Sequence, residues 1–281
     1  MDQLTIVMIV AAAVSAATWI ASLITGDHSW VDRIWSIAPV VYGWIFAAGS
    51  GWDARVVLMA SLITLWGARL TFNFARKGGY TGTEDYRWPV LRARMTRWQF
   101  ELFNLVFIVG FQNTLLVLIT TPLAVAAAEP GAAIGVWDVV LAVVFLVFLA
   151  GETLADQQQW DFHQRKAAER AAGREVRPGF LSTGLWRFSR HPNFFFEQAQ
   201  WWVVYFFGVA AIGASGSLPF LGGVINISLI GPVLLTALFL GSSRFTEALS
   251  AGKYPEYASY QRTTSMLLPL PPRTPQTQPT T

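Results

Sequence analysis

The sequence predicts an all-α polytopic membrane protein of seven transmembrane helices, with long connections on the cytoplasmic side. Three observations lead there. First, 53% of the 281 residues are hydrophobic and only 13% are charged, where a soluble domain carries about 25% charged residues. Second, apolar runs recur at 4–25, 34–49, 56–74, 100–121, 134–151, 194–214 and 219–241. Each approaches the ~20 residues that a helix needs to cross a bilayer. Third, basic residues gather in alternate connections. Strand-like alternation is absent, so helices are the means of satisfying the backbone in lipid.

The first run has no basic segment before it, and its apolar part exceeds the ~7–15 residues of a signal peptide. It reads as a retained helix. The second run is short, so it lies tilted or partly in the interface. Before it stands "SWVDRIWS" (29–36), where Asp32 and Arg33 form a salt bridge between helices or Asp32, Trp35 or Ser36 floors a substrate cavity. The third run ends at a connection holding Arg76, Lys77, Arg87, Arg92, Arg94 and Arg97. Within it "YTGTEDYRW" (80–88) packs acids, an arginine and two tyrosines. A tyrosine there, Tyr80 or Tyr86, can hydrogen-bond a substrate carbonyl as an acid; interfacial aromatics are the other reading.

The fifth helix continues through "GETLADQQQWDFH" (151–163), where Glu152, Asp156, Gln159 and His163 share one face. The basic connection that follows holds Arg165, Lys166, Arg170, Arg174, Arg177, Arg187 and Arg190. It ends in "FSRHPNFFFEQAQWW" (188–202). With Pro192 in a first helical turn, Asn193, Glu197 and Trp201 fall on one face and Gln200 beside them. Arg190 and His191 stand at its mouth. Burying such groups in hydrocarbon is costly unless they have partners. The set suits a nucleotide, with cations for phosphates and an amide and carboxylate for amide or ribose groups; a snorkelling helix end is the alternative. The C-terminal segment adds Arg244, Tyr254, Tyr257, Tyr260 and Arg262, suited to an adenine and its phosphates or to a headgroup belt.

Connections near 122–133 and 214–218 carry no basic residue, and the one near 50–55 carries only Arg55. The basic connections therefore face the cytoplasm, with the N-terminus outside and the C-terminus inside. Residues 1–268 read as one membrane domain and 269–281, rich in Pro, Thr and Gln, as a disordered tail. There are no cysteines and only three histidines, at no metal-site spacing. "GSGWDA" (49–54) fits a loose dinucleotide pattern, but no strand precedes it. Nothing suggests nucleic acid or a protein partner. The partners expected are membrane lipid and a hydrophobic substrate entering from the bilayer.

"GLWRFSRHPNFFFEQAQWW", "ADQQQWDFH", "DRIWS" and "YPEYASYQRTTSMLLP" resemble the membrane steroid 5α-reductase superfamily, nearest its short bacterial-type branch. The resemblance spans nearly the whole chain and is strongest over 152–269. It implies seven helices, a bacterial inner membrane and a cytoplasmic NADPH site, with cofactor-capping loop and tail segments, to which Asn193, Glu197, Trp201, Asp156 and Arg244 belong. Arg190, His191 and Tyr257 join them as cofactor-binding candidates. The implied reaction is hydride transfer to an activated C=C bond, an enone, in a steroid-like or other hydrophobic lipid. The family's substrate-gripping Gln-Glu pair and Tyr are not matched; Asn73 stands at the Tyr position. Tyr86 and Asp32 are therefore the catalytic candidates. "RHP" before a membrane helix also resembles isoprenylcysteine and phospholipid methyltransferases, which use S-adenosylmethionine.

Overall fold

A computed structural model describes residues 1–129, 131, 133–215 and 223–273. Its elements are helical, and no strand occurs among the described residues. The helices are α1 (Gln3–Thr25), α2 (Trp30–Ile34), α3 (Ala38–Gly49), α4 (Ala54–Arg76), α5 (Arg87–Arg92), α6 (Arg97–Phe103), α7 (Gln112–Ala127), α8 (Val136–Ala171), α9 (Pro192–Ser215), α10 (Ile230–Lys253) and α11 (Tyr257–Thr263). A π-helical stretch, Asn104–Phe111, joins α6 to α7, and short 3-10 turns cover Gly184–Arg187 and Ile227–Leu229.

Local chemistry sets the ends. Asp2 caps α1 through its carboxylate on the Thr5 amide (2.9 Å), and Gly26 closes it in the left-handed conformation, φ 68°. Asp53 caps α4 on the amides of Arg55 and Val56. Thr96 and Gln99 form a reciprocal capping box at the start of α6. Pro192 opens α9, as the sequence predicts.

Five helices are long and apolar enough to cross a membrane: Gln3–Thr25, Ala54–Arg76, Arg97–Ala127, Val136–Ala171 and Ile227–Lys253. Two of the seven expected spans fall outside this set. The run 34–49 is divided by a turn after Ile34, leaving α3 with 12 residues, about 18 Å at 1.5 Å per residue. The run 194–214 lies in α9, which has 24 residues but carries Asn193, Glu197, Gln198 and Gln200 in its first half. The expected seventh run begins at 219, but residues 216–222 lie outside those described. Its helix is shifted along the chain to Ile230–Lys253.

Within the single domain expected, the chain folds as two compact units, Met1–Phe145 with Trp201–Leu235 and Leu146–Gln200 with Thr236–Thr281. In the first, α3 packs on α1, α4 and α7, and α1 packs on the π-helical stretch. Glycine permits the approach of α4 to the chain before α3: a Cβ on Gly67 would lie 2.6 Å from the Ser36 carbonyl oxygen. Polar pins cross the same elements, Ser36 Oγ to Thr71 Oγ1 at 2.7 Å and Trp44 Nε1 donating to Thr64 Oγ1 at 3.0 Å. Arg55 and Asp138 form a buried bidentate pair at 2.6 and 3.0 Å. A second core gathers Val31, Trp88, Phe100, Ile108 and Val109.

In the second unit, α8 runs through Ala171, so the helix continues past 163 into the basic connection expected after it. Gly151 admits the Phe196 ring of α9, which a Cβ would meet at 2.6 Å. Of the tail expected to be disordered, 269–273 is anchored: the Leu270 amide donates to Phe188 O (3.0 Å) and the Arg273 amide to Thr263 O (2.8 Å). Residues 274–281 lie outside those described.

Candidate functional site

The second unit places the α8 and α9 stripes against each other. Glu152 and Asp156 of α8 are buried, at 1% and 4% exposure, and Glu197 of α9 is buried at 7%. Gln200 donates through Nε2 to Glu152 Oε2 at 2.7 Å and to the Phe196 carbonyl at 3.2 Å. The Asn193 amide approaches Asp156 Oδ1 at 3.5 Å, a weak contact. Its own oxygen, Asn193 Oδ1, is buried without a hydrogen-bond partner in the chain, as are Gln200 Oε1, Gln159 Oε1 and Ser243 Oγ. Buried polar atoms are nearly always partnered, so the two acceptors that α9 carries on this face, Asn193 Oδ1 and Gln200 Oε1, are where a bound molecule would supply donors. His163, at the far end of the stripe, is exposed, with Nε2 3.2 Å from Gln159 Nε2 and its ring edge-on to Phe162.

Arg190 and His191 take another role. Arg190 donates to both carboxylate oxygens of Glu247, at 2.7 and 3.0 Å, and through Nη1 to the carbonyls of Gln261 and Thr264. His191 Nε2 stands 3.1 Å from Glu247 Oε1, and Gln261 Nε2 donates to Oε2 at 2.8 Å. Glu247 is thus a buried hub joining the segment before α9 to α10 and α11. The chain after α11 completes the clasp: the Arg190 and His191 amides donate to Ser265 and Met266 carbonyls, and Ser189 Oγ to Leu267 O at 2.7 Å. Sequence reasoning missed Glu247. Its signal was a lone acid, three residues after Arg244, in an otherwise apolar helix.

Arg244 is exposed on α10. Tyr257 is 5% exposed and packs edge-on against Phe180 at 4.9 Å. Burial pushes the Tyr257 and Tyr260 phenols up, so both stay neutral donors. Lys166, itself buried, donates to the Gly179 carbonyl and to Tyr254 OH at 2.8 Å.

The remaining candidates belong to the first unit. Asp32 accepts from Trp88 Nε1 at 3.0 Å and lies 3.7 Å from the Arg87 guanidinium. Burial raises its pKa to about 6; neighbouring Asp85 adds to this while Arg87 and Trp88 oppose it. Tyr86 is 54% exposed. Tyr80 donates to the Arg33 carbonyl at 3.0 Å and stacks edge-on with Phe74. Trp201, expected on the Asn193–Glu197 stripe, is 2% exposed and meets Trp66 edge to face at 4.9 Å.

Would a dinucleotide fit this chemistry? The unpartnered acceptors Asn193 Oδ1 and Gln200 Oε1 suit carboxamide and ribose donors, and Arg244 remains exposed for phosphate. Arg190, already matched by Glu247, does not serve as the phosphate cation in this arrangement. The residues fit the sugar and amide portions, with the phosphate cation shifted to Arg244.

These features define a class: an all-helical chain with membrane-length apolar helices and a buried polar face on two of them. The chain belongs to a family described as "Protein of unknown function (DUF1295)", which it matches over residues 18–264. It is similar to an uncharacterized protein of Schizosaccharomyces pombe, 39% identical over 260 residues that cover 86% of this chain and 73% of that protein. No solved structure matches.

Proposed function

We propose that this chain is a seven-span membrane reductase that uses NADPH to saturate the C=C bond of an enone in a steroid-like or other hydrophobic lipid. In this reading α9 also crosses, α3 crosses with the bilayer thinned about it, and the basic connections face the cytoplasm of a bacterial inner membrane, with the N-terminus outside. The observation that carries the proposal is the two buried acceptors of α9, Asn193 Oδ1 and Gln200 Oε1, without partners in the chain. NADPH, when bound, supplies the hydride.

The chain's own residues do the rest. Asn193 accepts from the carboxamide and so sets its rotation. Asp156 and Glu197 receive ribose hydroxyls, and Arg244 faces the phosphates. Asp32, whose pKa burial raises to about 6, and Tyr86 are the candidate acids for the proton that the α-carbon takes up after hydride transfer. The apolar helices keep water from the reacting carbons.

One observation favours a second reading, methyl transfer from S-adenosylmethionine. Arg190 is neutralised by Glu247, while Glu152, Asp156 and Glu197 are three buried acids. Such a face suits a sulfonium cation better than phosphates. Protein purified in mild detergent without added ligand, then denatured, separates the two by mass spectrometry of what is released. NADPH or NADP in the released fraction supports the reductase; S-adenosylmethionine or its demethylated product moves the site to methyl transfer.

A further inference from the structure

We infer that the interior of the first unit is a binding site for an uncharged hydrophobic molecule bearing a carbonyl or hydroxyl oxygen, gripped by Tyr42, Trp66, Trp201 and Asn113. The inference deepens the reductase reading by naming the groups that take the substrate's oxygen, and it rests on that reading for the identity of the occupant as substrate.

The four side chains come from α3, α4, α9 and α7, and all are at least nine-tenths buried: 0%, 1%, 2% and 1% exposed. Each presents a polar atom that is buried and has no partner in the chain: Tyr42 OH, Trp66 Nε1, Trp201 Nε1 and Asn113 Oδ1. Asn113 uses its Nδ2 on the Val109 carbonyl at 2.9 Å, leaving its oxygen over. Three donors and an acceptor are thus without partners in an apolar interior, while Ser36, Trp44 and Arg55 each find a partner across a helix contact. Among the described residues of the unit, His28 Nε2, Glu101 Oε2 and Asn104 Oδ1 are the other buried side-chain atoms without a hydrogen-bond partner.

The placement brings them together. Trp66 and Trp201 are in ring contact at 4.9 Å, so both indole N–H groups lie within the span of one small molecule. Trp44 Nε1 reaches Thr64, and a Cβ on Gly67 would lie 2.5 Å from Val40 Cγ2. The Tyr42 and Trp66 segments therefore run side by side. α7, which carries Asn113, packs on both α3 and α4.

The chemistry selects the occupant. Indole N–H groups are donors only, and the phenol and amide add one donor and one acceptor. None of the four carries charge, so an anionic headgroup or a cation is unsuited. A ketone or alcohol oxygen on an apolar body satisfies the donors and leaves its hydrocarbon to the Ile63, Leu115 and Ile119 surroundings. This assigns Trp201 to the substrate rather than to the cofactor stripe.

The test uses the full chain in detergent without cofactor, with two matched probe pairs: 2-tridecanone against tridecane, and progesterone against androstane. Thermal stabilisation is read for the parent and for Tyr42→Phe, which removes only the hydroxyl. The inference expects the oxygenated member of at least one pair to stabilise more than its hydrocarbon. Tyr42→Phe should leave the ligand-free midpoint unchanged or raised, since it deletes an unpartnered donor, and weaken the oxygenated probe about tenfold. Equal shifts within both pairs overturn it. So does a Tyr42→Phe variant that is destabilised without ligand yet binds the probes as before, because a fixed water then satisfies the hydroxyl. Stabilisation by NADPH, measured on both proteins, separates this outcome from failure of the reductase reading.

Discussion

Arg190 and Glu247 meet in a bidentate ion pair, Nε to Oε1 at 2.7 Å and Nη2 to Oε2 at 3.0 Å, with side chains 10% and 7% exposed. The pair joins residues 57 positions apart, and His191 and Gln261 share the same carboxylate. A group read from sequence as a phosphate ligand is thereby a structural fastening.

Arg190→Ala is expected to destabilise the protein by about 3–5 kcal/mol, because it leaves a buried carboxylate uncompensated. Arg190→Met with Glu247→Met together should recover most of that loss. Thermal unfolding in detergent reads both. A loss of NADPH binding in Arg190→Ala at unchanged stability would restore Arg190 as a phosphate ligand.

Asp32 gives a pH signature. Its carboxyl has a folded-state pKa raised to about 6 by burial, against about 3.9 unfolded. The folded state therefore binds the proton more tightly. Its contribution is fully present below about pH 4 and lost as pH rises to about 6, a fall on the order of 2–3 kcal/mol. Asp32→Asn should abolish that slope and stabilise the protein above pH 6. Thermal midpoints at pH 4.5, 5.5, 6.5 and 7.5 decide it. Activity that depends on the protonated carboxyl should likewise decline above pH 6.

Gly67→Ala should cost about 1–3 kcal/mol, because the added methyl would sit 2.6 Å from the Ser36 carbonyl oxygen and the backbone has to give way. Gly82, where a Cβ meets nothing within 4 Å, adopts φ 84°. Alanine there costs through backbone strain alone. Equal midpoints for Gly67→Ala and the parent would contradict the close approach.

Much of the fold was legible, for physical reasons that differ by element. The long apolar runs announced α1, α4 and the helix spanning 97–127, because length and hydropathy carry the membrane signal. The Pro192 start of α9 followed from the fixed φ of proline. The turn that cuts α3 short lies just before Pro39, which sits in the first turn of α3, a helix-start signal passed over by reading 34–49 as one run; the π-helical register of Asn104–Phe111 has no sequence pattern that predicts it. On the site, helical spacing put Glu152, Asp156, Asn193 and Glu197 on their faces, since i, i+4 relations are local. What was missed is nonlocal: Glu247 against Arg190, Trp201 against Trp66, and Ser189 against Leu267 depend on chain paths that no local pattern encodes.

The most direct test of the proposal is the thermal shift given by NADPH, NADH and S-adenosylmethionine to the parent and to Asn193→Ala. A ligand that binds only the folded state raises the midpoint, by about 2.7 kcal/mol of stability at a hundred times its dissociation constant. The proposal predicts a shift with NADPH, absent with S-adenosylmethionine and strongly reduced in Asn193→Ala. A shift with S-adenosylmethionine alone, or an NADPH shift that Asn193→Ala leaves intact, would contradict it.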